Sequence, residues 1–283
     1  LLREAAGDAC LVTGARVVTV SPGDPDGARA SVQCVSAGGT KNYEADLVVG
    51  ADGLRSTVRN QLAPATIPHY SGKSAWRGVV ADTFLVSEDF TVIWGPGTEF
   101  GAVRISADQV YWYGYTSTAE HAAWPDEKLA ASDHFRGWAE PVPALIEATP
   151  PSRIMRHDVY SLAPRLRSYV HGRTVLIGDA AHAMVPTMGQ GANSSLEDGA
   201  CIGLLIGRAV NAGTPLAAAL RHFDAERRPR TQRIARRSRH AGLLGADVSG
   251  HVAVAVRNTL MKVIPGGPAA AAGASILSWE APP

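Results

Sequence analysis

Apolar and polar residues alternate along residues 10–20 and 29–36, on either side of the turn-rich Ser21-Pro22-Gly23-Asp24-Pro25-Asp26-Gly27. A period of two turns one side of each run toward a core and the other toward solvent, so this pattern predicts a hairpin of half-buried strands. Asp46-Leu47-Val48-Val49-Gly50 breaks the alternation with a continuous apolar run. Such a run predicts a strand buried on both faces of a parallel sheet. Between 67 and 163 strand-like runs recur, including 75–80 and 110–116, while helical periodicity is confined to 126–139 and 141–148. This stretch reads as an inserted, sheet-based region. A second buried strand over 173–177 leads into long helices over 191–210 and 215–240, then a further helix over 252–264 and a Gly/Ala/Pro-rich tail. The opening Leu1-Leu2-Arg3-Glu4-Ala5-Ala6-Gly7 reads as the end of an amphipathic helix closed by a glycine, and with no initial methionine it predicts further chain upstream.

Composition narrows the classes of partner. With 283 residues and 46% hydrophobic content the chain can bury one large core or two modest ones. Its 27 Lys and Arg against 26 Asp and Glu leave a formal charge of +1, no field to attract nucleic acid or an acidic membrane surface, so a small-molecule partner is expected. Cys10, Cys34 and Cys201 form no CxxC and leave one thiol over in any pairing, which suits a reducing, cytoplasmic setting and argues against structural disulfides or a zinc site. Apolar stretches such as 201–206 are cut short by Gly207 and Arg208, too soon to span a bilayer, and no charged-then-apolar leader is seen.

Several motif-like stretches fail on physical grounds. Gly72-Lys73-Ser74 imitates the end of a phosphate-binding loop, but that loop needs a glycine where Ile67 stands. Gly189-Gln190-Gly191-Ala192-Asn193-Ser194 imitates a dinucleotide fingerprint yet follows a loop rather than a strand. Asp179 and His182 have no further ligands at metal-like spacing, and His182 reads as a loop histidine. The arginine-rich 221–240, with apolar residues at 220, 223 and 234, reads as a helix packed on one side, with its arginines and Asp224 on the solvated side.

Two stretches carry chemistry together. In Asp46-Leu47-Val48-Val49-Gly50-Ala51-Asp52-Gly53-Leu54-Arg55-Ser56-Thr57-Val58-Arg59 and in GRTVLIGDAAHAMVPTMGQGANSSLEDG, which contains Gly178-Asp179, a buried strand reaches a glycine and delivers an aspartate. Open α/β folds bind ligands at that carboxyl end of the sheet, and the glycines Gly50, Gly53, Gly178, Gly189 and Gly191 let backbone approach a ligand closely. Each acid has a structural alternative: Asp52 as a turn former and Asp179 as the cap of a short helix.

The two stretches resemble the "DG" and "GD" motifs of the single-component FAD-dependent aromatic monooxygenases, those of the para-hydroxybenzoate hydroxylase fold. The likeness extends to Ala75-Trp76-Arg77-Gly78, to the region from Trp94-Gly95-Pro96-Gly97 to Tyr111-Trp112, and to Phe223-Asp224-Ala225-Glu226-Arg227-Arg228-Pro229-Arg230, with a leaning toward the salicylate, hydroxynicotinate and urate hydroxylases. The resemblance implies an α/β Rossmann-like FAD-binding domain, with an inserted, mostly antiparallel β-sheet substrate domain and C-terminal helices. It implies boundaries at 1–66 (partial FAD-binding domain), 67–165 (substrate sheet), 166–240 (FAD-binding domain continued) and 241–283. Relatives begin with a GxGxxG βαβ unit, so this chain is expected to enter the pattern after roughly the first hundred residues and to be incomplete in its FAD-binding half.

The resemblance also implies a chemistry. FAD is reduced by NADH or NADPH, O₂ adds at flavin C4a, and a small aromatic or heteroaromatic substrate is hydroxylated by the resulting hydroperoxide. Asp179 would hold a ribityl hydroxyl; Asp52 would sit near the ribityl and pyrophosphate chain. Pro186, Gly189, Gln190 and Gly191 would pass beside the isoalloxazine, with the amides of Gly191, Ala192 and Asn193 at its N1/O2 edge, where a helix N-terminus favours the anionic reduced ring. Tyr111, Tyr113 and Tyr115 share one strand face and either line the substrate pocket, Tyr113 foremost, or fill an aromatic core. Arg77 and Arg104 are candidate anchors for a substrate carboxylate. The same fold also resembles flavin epoxidases, halogenases and prenyl reductases, and an incomplete flavoprotein without cofactor or activity is a further alternative.

Overall fold

The computed structural model describes residues 4, 7, 11–81, 86, 89–263 and 278–282. Most of the expected helix end at 1–7 and most of the tail, 264–277, lie outside these residues. The predicted hairpin forms as β1 (Arg16–Ser21) and β2 (Ala30–Ser36), and β3 (Gly39–Ala45) adds a third antiparallel strand. The strand β3, Gly39-Thr40-Lys41-Asn42-Tyr43-Glu44-Ala45, is exposed along nearly its whole length, so it carries no apolar alternation for a sequence to display.

The functional frame is a small sheet of β10 (Val170–His171), β11 (Thr174–Leu176) and β4 (Val48–Gly50), in which β4 and β11 run parallel with Val49 opposite Val175. Both strands therefore end at the same edge. The apolar run at β4 overstates its burial: Val49 is 38% exposed, whereas Val175 and Leu176 are fully buried. A continuous apolar run cannot itself tell which neighbour covers each face.

Between these two parallel strands the chain makes a long excursion into a five-stranded antiparallel sheet of order β6-β7-β8-β5-β9. Its strands are β5 (Ile67–Val80), β6 (Phe90–Gly95), β7 (Thr98–Arg104), β8 (Val110–Ser117) and β9 (Met155–Ala163). Alternation along β5 and β8 sends Trp76 and Trp112 to one face, where helices α2 (Glu127–His134) and α3 (Val142–Ala148) bury them against Phe135, Val142, Leu145 and Ile146. The opposite face carries Arg77 and the three tyrosines of β8 and is turned toward the frame.

After β11 come a single helical turn α4 (Asp179–His182) and a loop, then a long helix α5 that starts as Gly191–Cys201 and widens into a π-helical stretch at Ile202–Arg208. Helix α6 (Leu216–Leu244) packs across the frame through Leu220, Phe223 and Ile234, and α7 (His251–Val263) follows. Among the described residues no helix is long and apolar enough to cross a membrane.

One expectation about α6 is corrected. Arg227 is only 1% exposed rather than solvated, and Asp224 accepts from the Tyr169 amide at 2.7 Å and pairs with Arg228 at 2.9 Å. Arg227 lies in the same three-and-four spaced stripe as Leu220 and Phe223, so helix geometry carries it inward.

Candidate functional site

The strand β11 delivers Gly178 with φ 58° and ψ −143°, a backbone region open essentially to glycine alone. A Cβ there would meet Ser195 Oγ at 3.0 Å, so the turn needs glycine for space as well as for angle. Asp179 follows as the first residue of α4, exposed and without a hydrogen bond to any described residue. The amides of Ala181 and His182 both donate to the Gly178 carbonyl at 2.9 Å, which leaves Asp179 no donor ahead of it to cap.

Beyond α4 the chain passes through a single 3₁₀ turn, Pro186–Met188, to Gly189 in the left-handed region and then to Gln190, whose side chain makes no cap bond. The first helical bond of α5 closes when Ser194 N–H donates to the Gln190 carbonyl at 2.9 Å. The amides of Gly191, Ala192 and Asn193 thus stand at the helix's positive end, with Ala192 and Asn193 exposed.

Asp52 fares differently. One oxygen accepts from the Ser56 hydroxyl, and the other accepts from the Thr57 and Val58 amides at 2.7 and 3.1 Å. Ser56 in turn caps the same helix, α1 (Thr57–Leu62), by accepting from the Arg59 amide at 2.8 Å. The carboxylate fixes the loop 51–56 against the first turn of α1, the turn-forming alternative open to it from sequence.

Two buried charges absent from the sequence reading hold these loops together. Arg59, fully buried, donates to the carbonyls of Leu54 at 2.7 Å, Thr66 at 3.2 Å and Ala180 at 3.2 Å, joining the Asp52 loop to the Asp179 turn. Burial lowers its pKa, and the charge of Asp52 opposes that shift. Asp198, also fully buried, accepts from the Gly178 amide at 2.9 Å, from His182 Nε2 at 2.6 Å and from Arg227 Nε at 2.8 Å. Burial alone would push the Asp198 carboxyl up, but His182, the Gly178 amide and Arg227 together hold it below its ordinary value. His182 is therefore a buried partner of α5 and not a loop histidine. Arg227 also pairs with Glu197 at 2.8 Å, and Glu197 takes Arg230 through two bonds of 2.7 Å.

The sheet supplies the opposing wall. Arg77 stands directly across from Tyr113, and Val79 across from Tyr111. Tyr113 Oη donates to Glu99 Oε1 at 2.6 Å, while Trp94 Nε1 donates to Glu99 Oε2 at 2.6 Å. Burial and then the Glu99 carboxylate raise the Tyr113 pKa far above its usual value, so it is held as a neutral phenol. The Tyr113 ring lies across Gly101, where any Cβ would meet it at 2.2 Å. Arg77 Nε is buried without a hydrogen-bond partner. Arg104 is paired with Asp89 at 3.2 Å. Val185, adjacent to Pro186, packs with Tyr113 and Trp94 against one cluster of Ala75, Tyr115, Val159 and Ala246, bringing the tyrosine face and the loop together.

An acid-bearing turn and an uncapped helix at the edge of a parallel strand pair, facing an aromatic antiparallel sheet, define a nucleotide-cofactor fold with an inserted sheet. Residues 1–238 match the FAD binding domain family, and the chain belongs to that family. It is 39% identical over 266 residues to the aurachin C monooxygenase/isomerase of Stigmatella aurantiaca, covering 93% of this chain and 66% of that protein. It is 34% identical over 230 residues to a 2-heptyl-3-hydroxy-4(1H)-quinolone synthase of Pseudomonas aeruginosa, covering 79% of this chain and 58% of that protein. The structure of Klebsiella pneumoniae HpxO complexed with FAD and uric acid superposes with a TM-score of 0.81 at 24% identity, over 93% of this chain and 66% of that one. The chain thus spans about three fifths to two thirds of the length of these proteins.

The residues present fit FAD. A Cβ built on Gly53, Gly189 or Gly191 meets nothing within 4 Å, so the three glycines border open space rather than packed side chains. Asp179 is an exposed carboxylate without a hydrogen bond to any described residue, and the first amides of α5 have no cap. That donor and acceptor set suits a polyhydroxylated chain joined to a ring that becomes anionic on reduction.

Proposed function

We propose that this chain forms the flavin-facing part of an NADH- or NADPH-dependent monooxygenase that hydroxylates a small aromatic or heteroaromatic compound. The observation that supports the reading is the exposed Asp179 carboxylate, without a hydrogen bond to any described residue, at the end of a strand parallel to the one that leads to Asp52. In the overall reaction, substrate C–H, O₂, NAD(P)H and a proton give C–OH, water and NAD(P)⁺. FAD, when bound, supplies the electron transfer from nicotinamide and the activation of O₂.

The chain's own residues position and shield. Asp179 accepts a hydrogen bond from a cofactor hydroxyl, with Gly178 setting its direction. Pro186, Gly189 and Gln190 bring the backbone alongside the ring, and the amides of Gly191, Ala192 and Asn193 favour negative charge at its edge. Asp52 acts through the loop it fixes, beside the cofactor chain. Arg77, with its unpartnered Nε, anchors an acceptor oxygen of the substrate. Tyr113, locked as a donor to Glu99, orients the substrate ring and withholds its proton from the reaction. The tyrosine face and the Val185 loop exclude water from the reacting atoms.

The test is the purified full-length protein bearing this chain, assayed with NADH and NADPH against a 4-quinolone, salicylate and uric acid. A yellow protein whose NAD(P)H oxidation and O₂ uptake rise with one of these rings, with hydroxylated product, is expected. A colourless protein, or one whose NAD(P)H oxidation none of the rings stimulates, overturns the reading.

A further inference from the structure

The described residues enclose a cavity. It has a volume of about 360 Å³, in the range of small-ligand sites, and opens between the five-stranded sheet and helix α6. Tyr70, Tyr115, Leu166 and Leu243 supply apolar wall, and the segment 181–185 forms its floor. None of Arg77, Tyr113, Asp179, Pro186, Gly189, Gln190 or Gly191 lines it. Tyr115 and Val185, which line it, belong to the same packed cluster as Ala75, Tyr113, Val159 and Ala246.

Its charge is one-sided. Arg165 and Arg239 line the cavity, both exposed at its rim, and neither pairs with an acid among the described residues. Burial, then the like charges of Arg236 and Arg239, lowers the pKa of Arg165, and of these three Arg165 and Arg239 line the cavity. The acid that lines the cavity, Asp247, is already met by Lys73 Nζ at 3.1 Å. A chamber with aromatic and aliphatic walls, polar groups among them, under two arginines without acidic partners among the described residues suits a small aromatic body ending in an anion.

We propose that this cavity is a binding site for a small aromatic carboxylate, seated with its ring against Tyr70 and Tyr115 and its carboxylate between Arg165 and Arg239. The site uses neither Arg77 nor any residue assigned to the flavin, and it shares Tyr115 and Val185 with the tyrosine face. Its floor, the segment 181–185, connects the turn that carries Asp179 to the loop that begins at Pro186.

The probe is 2-naphthoate, titrated by calorimetry into the full-length protein, with the neutral 2-naphthylmethanol as control. Saturable binding of the acid at least about tenfold tighter than the alcohol is expected, weakening as salt is raised. Arg165→Ala with Arg239→Ala, two rim changes that leave the core untouched, should weaken the acid about fivefold or more and leave the alcohol unchanged. Ala235→Trp, which fills the chamber, should abolish binding of both, whereas Arg77→Met should leave this binding as it is. Equal affinity for acid and alcohol, indifference to the double arginine change, or loss of binding in Arg77→Met would overturn the proposal. Because the readout is binding and not turnover, its failure is distinct from failure of the monooxygenase reading.

Discussion

Asp52 and Asp179 follow the ends of two neighbouring parallel strands, each beside a glycine, and the structure treats them oppositely. Asp52 has both oxygens engaged, with Ser56 and with the amides that open α1. Asp179 has no partner among the described residues. The difference lies in what comes next along the chain. After Asp52 a helix starts five residues on, within reach of a carboxylate and with amides still free. Asp179 is itself inside the first turn, and the amides beyond it already serve the Gly178 carbonyl. An acid that its own backbone cannot use is left for a ligand. The first aspartate holds its own loop, and the second is the proposed contact.

Three substitutions test that contrast. The largest effect is expected at neither acid but at Asp198, which anchors the Gly178 turn from beneath. Asp198→Ala leaves Arg227 and His182 buried without their shared partner, and a loss of about 3–5 kcal/mol in unfolding free energy is expected from denaturant titration. The sign with pH follows. A carboxyl held below its ordinary 3.8 stabilises the fold above that value and loses its contribution as pH falls through the folded-state pKa. The wild type should therefore lose stability below about pH 4, and Asp198→Asn should flatten that loss. An unchanged stability in Asp198→Ala would mean that the turn is held by other contacts.

Asp179→Ala comes next and should separate binding from folding. Losing a hydrogen bond to a charged acceptor, about 1.5–3 kcal/mol, corresponds to a drop of roughly ten- to a hundredfold in FAD affinity. The unfolding free energy should stay within about 0.5 kcal/mol of wild type, since no protein contact is removed. Flavin fluorescence titration beside a thermal melt reads both quantities. Full-strength FAD binding would take Asp179 out of the cradle.

Asp52→Ala should show the reverse profile at the smallest scale. Removing the cap of α1 costs about 0.5–2 kcal/mol of stability, with a weaker effect on FAD than Asp179→Ala has. If the two variants lost flavin affinity equally, Asp52 would be a direct contact and the contrast between the acids would collapse.

Much of this arrangement was legible in the residues alone. The parallel strands, the two glycine–aspartate turns and the aromatic stripe of β8 all follow from runs of apolar residues and from a period of two. Polar residues hidden in apolar stripes were not legible. Arg227 falls in step with Leu220 and Phe223, and Asp198 falls in step with Ser194 and Cys201, all buried. Spacing shows which way such a residue points. It does not show that a partner waits there, because Asp198 and Arg227 meet only when α5 and α6 are packed. The exposed strand β3 escaped for the opposite reason, having no buried face to leave a pattern.

The contact between Arg59 and the Ala180 carbonyl joins residues 121 positions apart in the chain. Bringing the ends of a flexible loop of that length together costs about 4 kcal/mol of chain entropy before any contact rewards it. The intervening excursion is the five-stranded sheet, in which β6, β7 and β8 pair with strands nearer in sequence and β5 pairs with β9 at long range. Once that sheet is formed, its first and last strands, β5 and β9, lie side by side, with Ile67 paired to Ala163. The span left for β4 and β11 to close is then short. The inserted sheet thus serves as a clasp, holding the chain that leaves the Asp52 loop beside the chain that returns to the Asp179 turn.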